Sequence, residues 1–161
     1  MVILAPMPAE YAIAKDRFGF SNDVIWLGVG PRNALKAVTD MGISPDLDMM
    51  LFGFAGSNYL PVGTEVYVTK SYLHQLNASY EDAPAVLKKP SLKGVPELGV
   101  PCYSSSDFVV ETKVIEPSIF DMELGFLTPF FPNLSCWRIV SDNLNLHDFD
   151  EFLGREPTKK G

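Results

Sequence analysis

Cysteine and histidine are scarce in this sequence of 161 residues, with two of each. Cys102 and Cys136 lie in apolar stretches without metal-ligand spacing, so we expect two buried free thiols rather than a disulfide or a metal site. His74 and His147 have no partners at metal-binding spacing and are interpreted as surface or turn residues. The sequence therefore predicts no metal and no other cofactor.

Basic residues are outnumbered, because 13 Lys and Arg stand against 20 Asp and Glu, which gives a formal net charge of −7. Nucleic-acid backbones and anionic membrane surfaces both require a basic face on the protein that binds them. The charge therefore disfavours both classes of partner. It suits a protein that binds a small molecule.

Long apolar runs are also absent, since none approaches the ~18 residues of a membrane span. Residues 1–6 have no basic segment and are interpreted as a strand rather than a signal peptide, so we expect a cytoplasmic protein. The apolar fraction of 47% is ordinary for a globular protein, and the length fits a single domain over residues 1–161.

Short apolar runs alternate with helical segments along the chain. The predicted strands are Val2–Ala5, 24–29, 47–54, 62–68 and 136–140. The predicted helices are 9–17, 31–42, a segment from Pro117 that ends or kinks at Pro129, and 148–153. Residues 74–99 are predicted to form an irregular loop. This alternation is typical of an α/β layer fold with a largely parallel sheet.

Ligands of such sheets bind beyond the carboxyl ends of the strands. The rule selects four segments, all of them polar or glycine-rich: 6–10, 28–33, 53–57 and 141–145. These segments predict a cleft, but they do not define a reaction.

Four stretches have a recognisable pattern in their order and spacing. They are Ala5-Pro6-Met7-Pro8-Ala9-Glu10; Gly28-Val29-Gly30-Pro31-Arg32-Asn33-Ala34; Gly53-Phe54-Ala55-Gly56 with Val62-Gly63-Thr64-Glu65-Val66; and Met122-Glu123 with Arg138-Ile139-Val140-Ser141-Asp142. Together they resemble the purine nucleoside phosphorylase and nucleosidase superfamily, and most of all its 5′-methylthioadenosine/S-adenosylhomocysteine nucleosidases. The resemblance implies a three-layer α/β/α fold with a central mixed, largely parallel sheet, a purine nucleoside as substrate and a homodimer.

The resemblance also implies catalytic roles. Asp142 would protonate the purine at N7, which requires a raised pKa. Glu10 would stay ionised and activate water, and Arg138 would fix that carboxylate and the water. The use of two carboxyl groups is analogous to glycoside hydrolysis.

The same resemblance implies a set of substrate-binding residues. Glu123 would bind the ribose hydroxyls and Met122 would pack against the sugar. Phe108 would stack on the purine, with the backbone around Val109 at the purine edge. Ala55 and Gly56 would line the site at the end of their strand.

The sequence departs from the family pattern at several places. Phe54 occupies the position of a serine that helps to hold water or phosphate, and Asn145 occupies the position of a second aspartate. The region between Leu73 and Val100 is short by about one helix. A reduced enzyme and a non-catalytic descendant are both compatible with these changes.

Several alternatives remain open from the sequence. Futalosine hydrolysis in menaquinone synthesis is the nearest rival reaction, and an unrelated α/β domain without a nucleoside site is a further one. Phosphorolysis is disfavoured, because Arg32 is the single basic residue at the turns of the cleft. Glu10 could instead be a first-turn helix acid, and Asp142 a helix cap or turn residue.

Overall fold

A computed structural model of the chain describes residues 1–73 and 84–154. Within these residues the strands are Val2–Ala5 (β1), Asp23–Trp26 (β2), Met49–Ser57 (β3), Glu65–Leu73 (β4), Ala85–Val86 (β5), Gly99–Ser104 (β6), Ile119–Asp121 (β7) and Leu134–Asp142 (β8). The helices are Pro8–Phe18 (α1), Pro31–Asp40 (α2), Leu124–Leu127 (α3) and Leu146–Phe152 (α4). The interpretation of His74, and residues 74–83 of the predicted loop, lie outside the described residues.

One sheet contains every described strand, in the order β2-β1-β3-β7-β6-β4-β5, and β8 pairs with both β3 and β4. Strands β3, β7, β6, β4 and β8 therefore close into a five-stranded, barrel-like ring. Five of the strand pairs are parallel and three are antiparallel. The mixed, largely parallel sheet is confirmed, whereas a plain open sheet between two helical layers is not what forms.

The ring closes because β8 has a partner on each edge. Its residues 134–140 run parallel to β3, and its middle runs antiparallel to the start of β4. All nine residues of β3 and all nine of β8 are buried. The continuous apolar runs read from the sequence are typical of strands that are covered on both faces.

Two apolar clusters pack against these central strands. The larger one includes Leu51, Val66 and Cys136. The smaller one lies beneath α1, where the ring of Phe18 makes edge-to-face contacts with Phe52 and Trp137 at centroid distances of 5.3 and 5.1 Å. These contacts attach α1 to the sheet and so fix the helix that contains Glu10.

The chain around residues 117–129 differs from the sequence prediction. A helix is predicted from Pro117, through Asp121-Met122-Glu123, to Pro129, but Ile119–Asp121 form β7, which pairs with β3 and β6, and only the four-residue α3 follows. Pairing on both edges of a buried strand outweighs the local helical pattern, which is a weak preference.

The other predicted strands and helices are present, with ends shifted by up to five residues, and the described part of the predicted loop contains the short strand β5. Pro8 and Pro31 occupy the first turns of α1 and α2, where the missing N–H of proline is harmless. Gly30 precedes α2 with φ of 90°, a conformation that favours glycine. Among the described helices, none combines the length and the apolarity needed to cross a membrane.

Candidate active site

A cavity of about 270 Å³ opens at the carboxyl ends of β1, β3 and β8. We call it the central cavity. Its lining combines apolar side chains with four buried acids; the full set is Pro6, Met7, Glu10, Val29, Phe54, Ala55, Gly56, Phe108, Phe120, Asp121, Met122, Glu123, Ser141, Asp142 and Phe149. All four segments that the strand-end rule selected contribute to it. A recess of about 30 Å³ adjoins it and is lined by Val109 and Leu144 as well.

Glu10 and Asp142, which the sequence reading paired, both line the central cavity although 132 positions separate them (142 − 10). Each is almost fully buried, with 2% and 1% of its surface exposed. Two carboxyl groups on one mostly apolar cavity form a pair that can hold different protonation states, provided that their surroundings differ.

Backbone amides hold the Glu10 carboxylate from two sides. The N–H of Met7 donates to Oε1 at 2.6 Å, and the N–H of Phe54 donates to Oε2 at 2.5 Å. Gly53 leaves the space for this carboxylate, because a Cβ atom there would lie 1.9 Å from Oε2. The closing turn of β1 and the middle of β3 thus fix one side chain of α1.

Burial dominates the proton affinity of Glu10. It raises the pKa of this carboxyl group to about 8, although Arg138 and the two amides act in the opposite direction. A pKa of about 8 favours the protonated form at pH 7, whereas the resemblance implies a carboxylate that stays ionised.

Arg138 is fully buried in β8 and lies behind the cavity wall rather than in its lining. Its Nη2 donates to Asp121 Oδ2 at 2.5 Å and to Glu123 Oε1 at 3.4 Å. Its Nη1 donates to the carbonyl of Phe54 and lies 3.8 Å from Glu10 Oε2. A buried guanidinium needs such partners, because an unpaired buried charge is very costly.

Asp121 is a site residue that the sequence reading did not identify. It lines the cavity and is the nearest acid to Arg138. The sequence analysis placed Asp121 in a helix and therefore did not assign it to the site. In the structure it lies in strand β7, which directs its side chain into the cavity. The pattern Asp121-Met122-Glu123, with two acids two positions apart in front of a buried arginine, was the available signal.

Glu123 faces the cavity, but its carboxylate already has two protein donors. The N–H of Gly30 donates to Oε2 at 2.8 Å, and Arg138 reaches Oε1. Burial raises the pKa of Glu123, against the opposing effect of Arg138. A ribose hydroxyl would therefore meet a carboxylate that is anchored from behind.

The end of β8 directs Asp142 into the cavity. The register between β3 and β8 shifts after Ala55, so that Gly56 pairs with Asp142 rather than with Ser141. Such bulges re-aim side chains, and they are frequent beside active sites. Gly56 also makes room, since a Cβ atom there would lie 2.7 Å from Asp142 Oδ2.

Burial raises the pKa of Asp142, while hydrogen bonds from the Ser141 hydroxyl to Oδ1 and from the Leu144 amide to Oδ2 lower it. Leu144 adopts φ of 65°, which is uncommon for a residue other than glycine. This turn aims its amide back at the carboxyl group. Asp142 is thus an acid in the cavity and not a helix cap; Asn145 caps α4 instead.

Phe108 and Met122 both lie on the cavity wall. The ring of Phe108 is half-buried and meets Phe149 edge to face at 5.5 Å. Val109 lines only the adjoining recess. Phe149, from α4, completes the aromatic wall; the sequence interpretation had placed no residue of this helix in the site.

Phe54 does not fill the cavity. Its ring packs against Phe152 of α4 at 4.9 Å and belongs to the apolar cluster under α1, while its backbone amide binds Glu10. Residue 54 thus contacts Glu10 through its main chain, and its side chain offers no hydroxyl group to hold a water molecule.

Both cysteines are buried and free, as the sequence predicts, and His147 is exposed. Burial raises the pKa of Cys136 to about 12 and that of Cys102 well above its usual value, so both stay neutral thiols. Within residues 1–73 and 84–154, no three His, Cys, Asp or Glu side chains converge in a way that could hold a metal ion.

Solved structures identify the class of fold. No protein-family model and no curated protein matches this sequence. A nucleosidase of Chlamydia trachomatis bound to MTA is similar in structure with a TM-score of 0.72 at 18% identity, over 95% of this chain and 86% of that one. The chain therefore has the mixed α/β fold of nucleosidases.

Two structures from Helicobacter pylori show a similar likeness in fold. One is of a 5′-methylthioadenosine/S-adenosylhomocysteine nucleosidase and the other of a futalosine hydrolase variant; each has a TM-score of 0.69 at 15% identity over 94% of this chain and 90% of its own. At the level of the fold, these structures confirm the resemblance drawn from the sequence motifs.

Proposed function

We propose that the central cavity binds a purine nucleoside and that the protein hydrolyses its N-glycosidic bond. The observation that supports this most directly is the pair of buried acids, Glu10 and Asp142, on one cavity. Each acid fits against a glycine of β3, and each has a pKa raised by burial. The volume of about 270 Å³ is near the lower end of the ~300–1,000 Å³ range of small-molecule sites.

The composition of the cavity supports hydrolysis over phosphorolysis. Among the described residues, the lining contains no Lys and no Arg. Arg32, the basic residue considered from the sequence, is exposed and lies outside the lining. A phosphate would therefore meet acids rather than a cationic side chain, whereas water and a neutral nucleoside suit this surface.

In this mechanism Asp142 donates a proton to N7 of the departing purine. Its raised pKa favours the neutral acid, and the electron pair of the broken bond goes to a neutral base instead of an anion. Glu10, once ionised, accepts a proton from the water that attacks the anomeric carbon. The positive charge that develops on the ribose favours the ionised form of this group, because opposite charges lower a carboxyl pKa.

The remaining residues bind and orient. Glu123 accepts hydrogen bonds from the ribose hydroxyls, and Met122 packs against the sugar. Phe108 covers the purine face while Ala55, Gly56 and the backbone at Val109 border the base. Arg138 acts from behind the wall, where it fixes the acids.

The substrate class that we favour is a 5′-substituted adenosine of the methylthioadenosine or S-adenosylhomocysteine type. The nucleosidase neighbours support this choice, and the futalosine hydrolase neighbour supports the alternative. The test is to incubate the protein with methylthioadenosine, S-adenosylhomocysteine and futalosine and to separate the products by chromatography. Free adenine supports the first class and free hypoxanthine the second; the absence of any free base at high protein concentration contradicts the enzyme proposal.

A non-catalytic nucleoside-binding protein is the second candidate. The apolar Phe54, at the position of a serine in the family pattern, favours it. Calorimetric binding of adenine without turnover would support this role. We further propose that the protein is cytoplasmic and that it forms a homodimer. Light scattering of the purified protein measures the mass and so tests the dimer.

A further inference from the structure

Three carboxyl groups surround one guanidinium behind the central cavity. Arg138 Nη2 contacts Asp121 at 2.5 Å and Glu123 at 3.4 Å, while the Glu10 oxygen lies 3.8 Å from Nη1. One positive charge cannot satisfy three ionised acids equally in a buried site. By these distances, Asp121 makes the shortest contact with the guanidinium and Glu10 the longest.

Asp121 is the acid whose surroundings hold it in contact with Arg138. Four donors converge on its carboxylate: Arg138 and the amide of Leu124 reach Oδ2, and the Ser104 hydroxyl and the Cys102 thiol reach Oδ1. Strand β6, strand β8 and the start of α3 thus fix this carboxyl group beside the guanidinium.

Glu10 has a different set of neighbours. Its hydrogen bonds come from the amides of Met7 and Phe54, and the guanidinium is beyond hydrogen-bond distance. The charged groups that act on it are Arg138 of β8 and Glu123 of the turn after β7, and Asp142 lines the same cavity. Of the strands that pack against α1, β1 and β3 have no titratable side chain, and β2 contributes only Asp23, which is exposed.

We propose that Asp121 is a positioning residue that keeps Arg138 from hydrogen-bonding to Glu10, so that Glu10 retains the proton affinity of a general base. The inference rests on the proposed role of Glu10 in activating water. A general base works best when its pKa is near the working pH, and burial raises that of Glu10 to about 8, although Arg138 already lowers it from a distance of 3.8 Å. A charge-assisted hydrogen bond from the guanidinium would lower this pKa further.

The test measures the titration of Glu10 itself. Protein labelled with ¹³C at glutamate carboxyl groups is titrated by NMR, and Glu10→Gln assigns the resonance. In Asp121→Asn the guanidinium loses its nearest acid, so we expect the pKa of Glu10 to fall by about one unit or more. An unchanged or raised pKa overturns the proposal.

Ser104→Ala is the matched control, because it removes a neutral donor to Asp121 at the same buried place and leaves every charge. Glu10 should then titrate within about half a unit of its wild-type pKa, a small fraction of an ion-pair shift. A fall as large as that in Asp121→Asn would assign the effect to packing and overturn the proposal. If Asp121→Asn does not fold, Asp121→Glu decides: it retains the charge, and the same half-unit limit applies.

Turnover provides a second and separate readout. If the protein releases a purine, the ionisation near pH 8 in the pH profile of kcat/KM should move to lower pH in Asp121→Asn and stay in place in Ser104→Ala. If no base is released by any variant, the proposed enzyme function fails, while the NMR titration still decides whether Asp121 controls Glu10.

Discussion

A methyl group on Gly53 would lie 1.9 Å from Oε2 of Glu10, so the carboxylate fits only because residue 53 has no side chain. We therefore expect Gly53→Ala to displace the carboxylate and to lower kcat/KM by about 100-fold or more, because a shift of ~1 Å in a catalytic group has such an effect. Gly99→Ala is the control. Its methyl group would crowd Tyr67 and Thr69 at 2.7 Å, away from the cavity, and activity should stay within about twofold of wild type. Full activity in Gly53→Ala would argue against Glu10 as a catalytic residue.

Asp142→Asn should separate binding from chemistry. The amide keeps the shape of the side chain but cannot donate the acidic proton, so we expect kcat to fall by about 10²–10⁴-fold with nucleoside affinity nearly unchanged. Single-turnover kinetics and calorimetry measure the two quantities. Asp148→Asn removes a nearby acid that lies outside the cavity lining and should retain turnover. Weak binding combined with normal turnover at saturation would contradict the assigned role.

The raised pKa of Glu10 predicts how stability depends on pH. A buried acid with a pKa of about 8, against 4.5 when unfolded, contributes stability that is complete below pH 4.5 and is lost as the pH rises through 8. The free energy of unfolding should therefore fall between pH 5 and 9 by on the order of 4 kcal/mol more in the wild type than in Glu10→Gln. Urea denaturation at several pH values measures the difference.

Glu65→Gln provides the contrast for this pH experiment. Hydrogen bonds from Arg17 and Trp137 lower the pKa of Glu65 despite its partial burial, so its contribution to stability is present above its unfolded pKa and is lost as the pH falls. The substitution should therefore leave the decline between pH 5 and 9 intact. Parallel curves for the wild type and Glu10→Gln would show that Glu10 ionises normally.

Phe54→Ser should not improve catalysis, although it restores the residue of the family pattern. The contact with Glu10 comes from the backbone amide of residue 54, which the substitution leaves in place. The lost ring contact with Phe152 and the apolar cluster should cost about 3 kcal/mol of stability. Thermal unfolding and kcat test both parts, with Phe54→Leu as the apolar control. A clear rise in kcat would mean that the phenylalanine limits the reaction.

Local sequence patterns were sufficient to predict many of the strands and helices. The apolar run of β1 and the proline at the start of α2 each predicted their element to within a few residues. Gly53 and Gly56 were placed at a strand end, and this correctly located one wall of the cavity. Periodicity and turn residues determine such features, since they act over a few positions.

The remaining features depend on contacts between distant parts of the chain. The strand β7 has only three residues and is defined by its two neighbours, so its helical pattern misled the prediction and concealed Asp121. The pairing of Glu123 with Gly30 joins positions 93 apart. The protonated state of Glu10 follows from burial by other elements, and no local pattern in the sequence reports it.

The pairing of β8 with both β3 and β4 restricts where the sequence can change to accept a different ligand. A strand paired along both edges cannot shift its register or gain a residue without breaking hydrogen bonds to a neighbouring strand. Arg138 and Asp142 therefore keep a constant spacing. The connections at the mouth, residues 105–118 and 143–145, form no strand or helix and are free of this constraint. Engineering a new nucleoside preference should therefore begin in those connections.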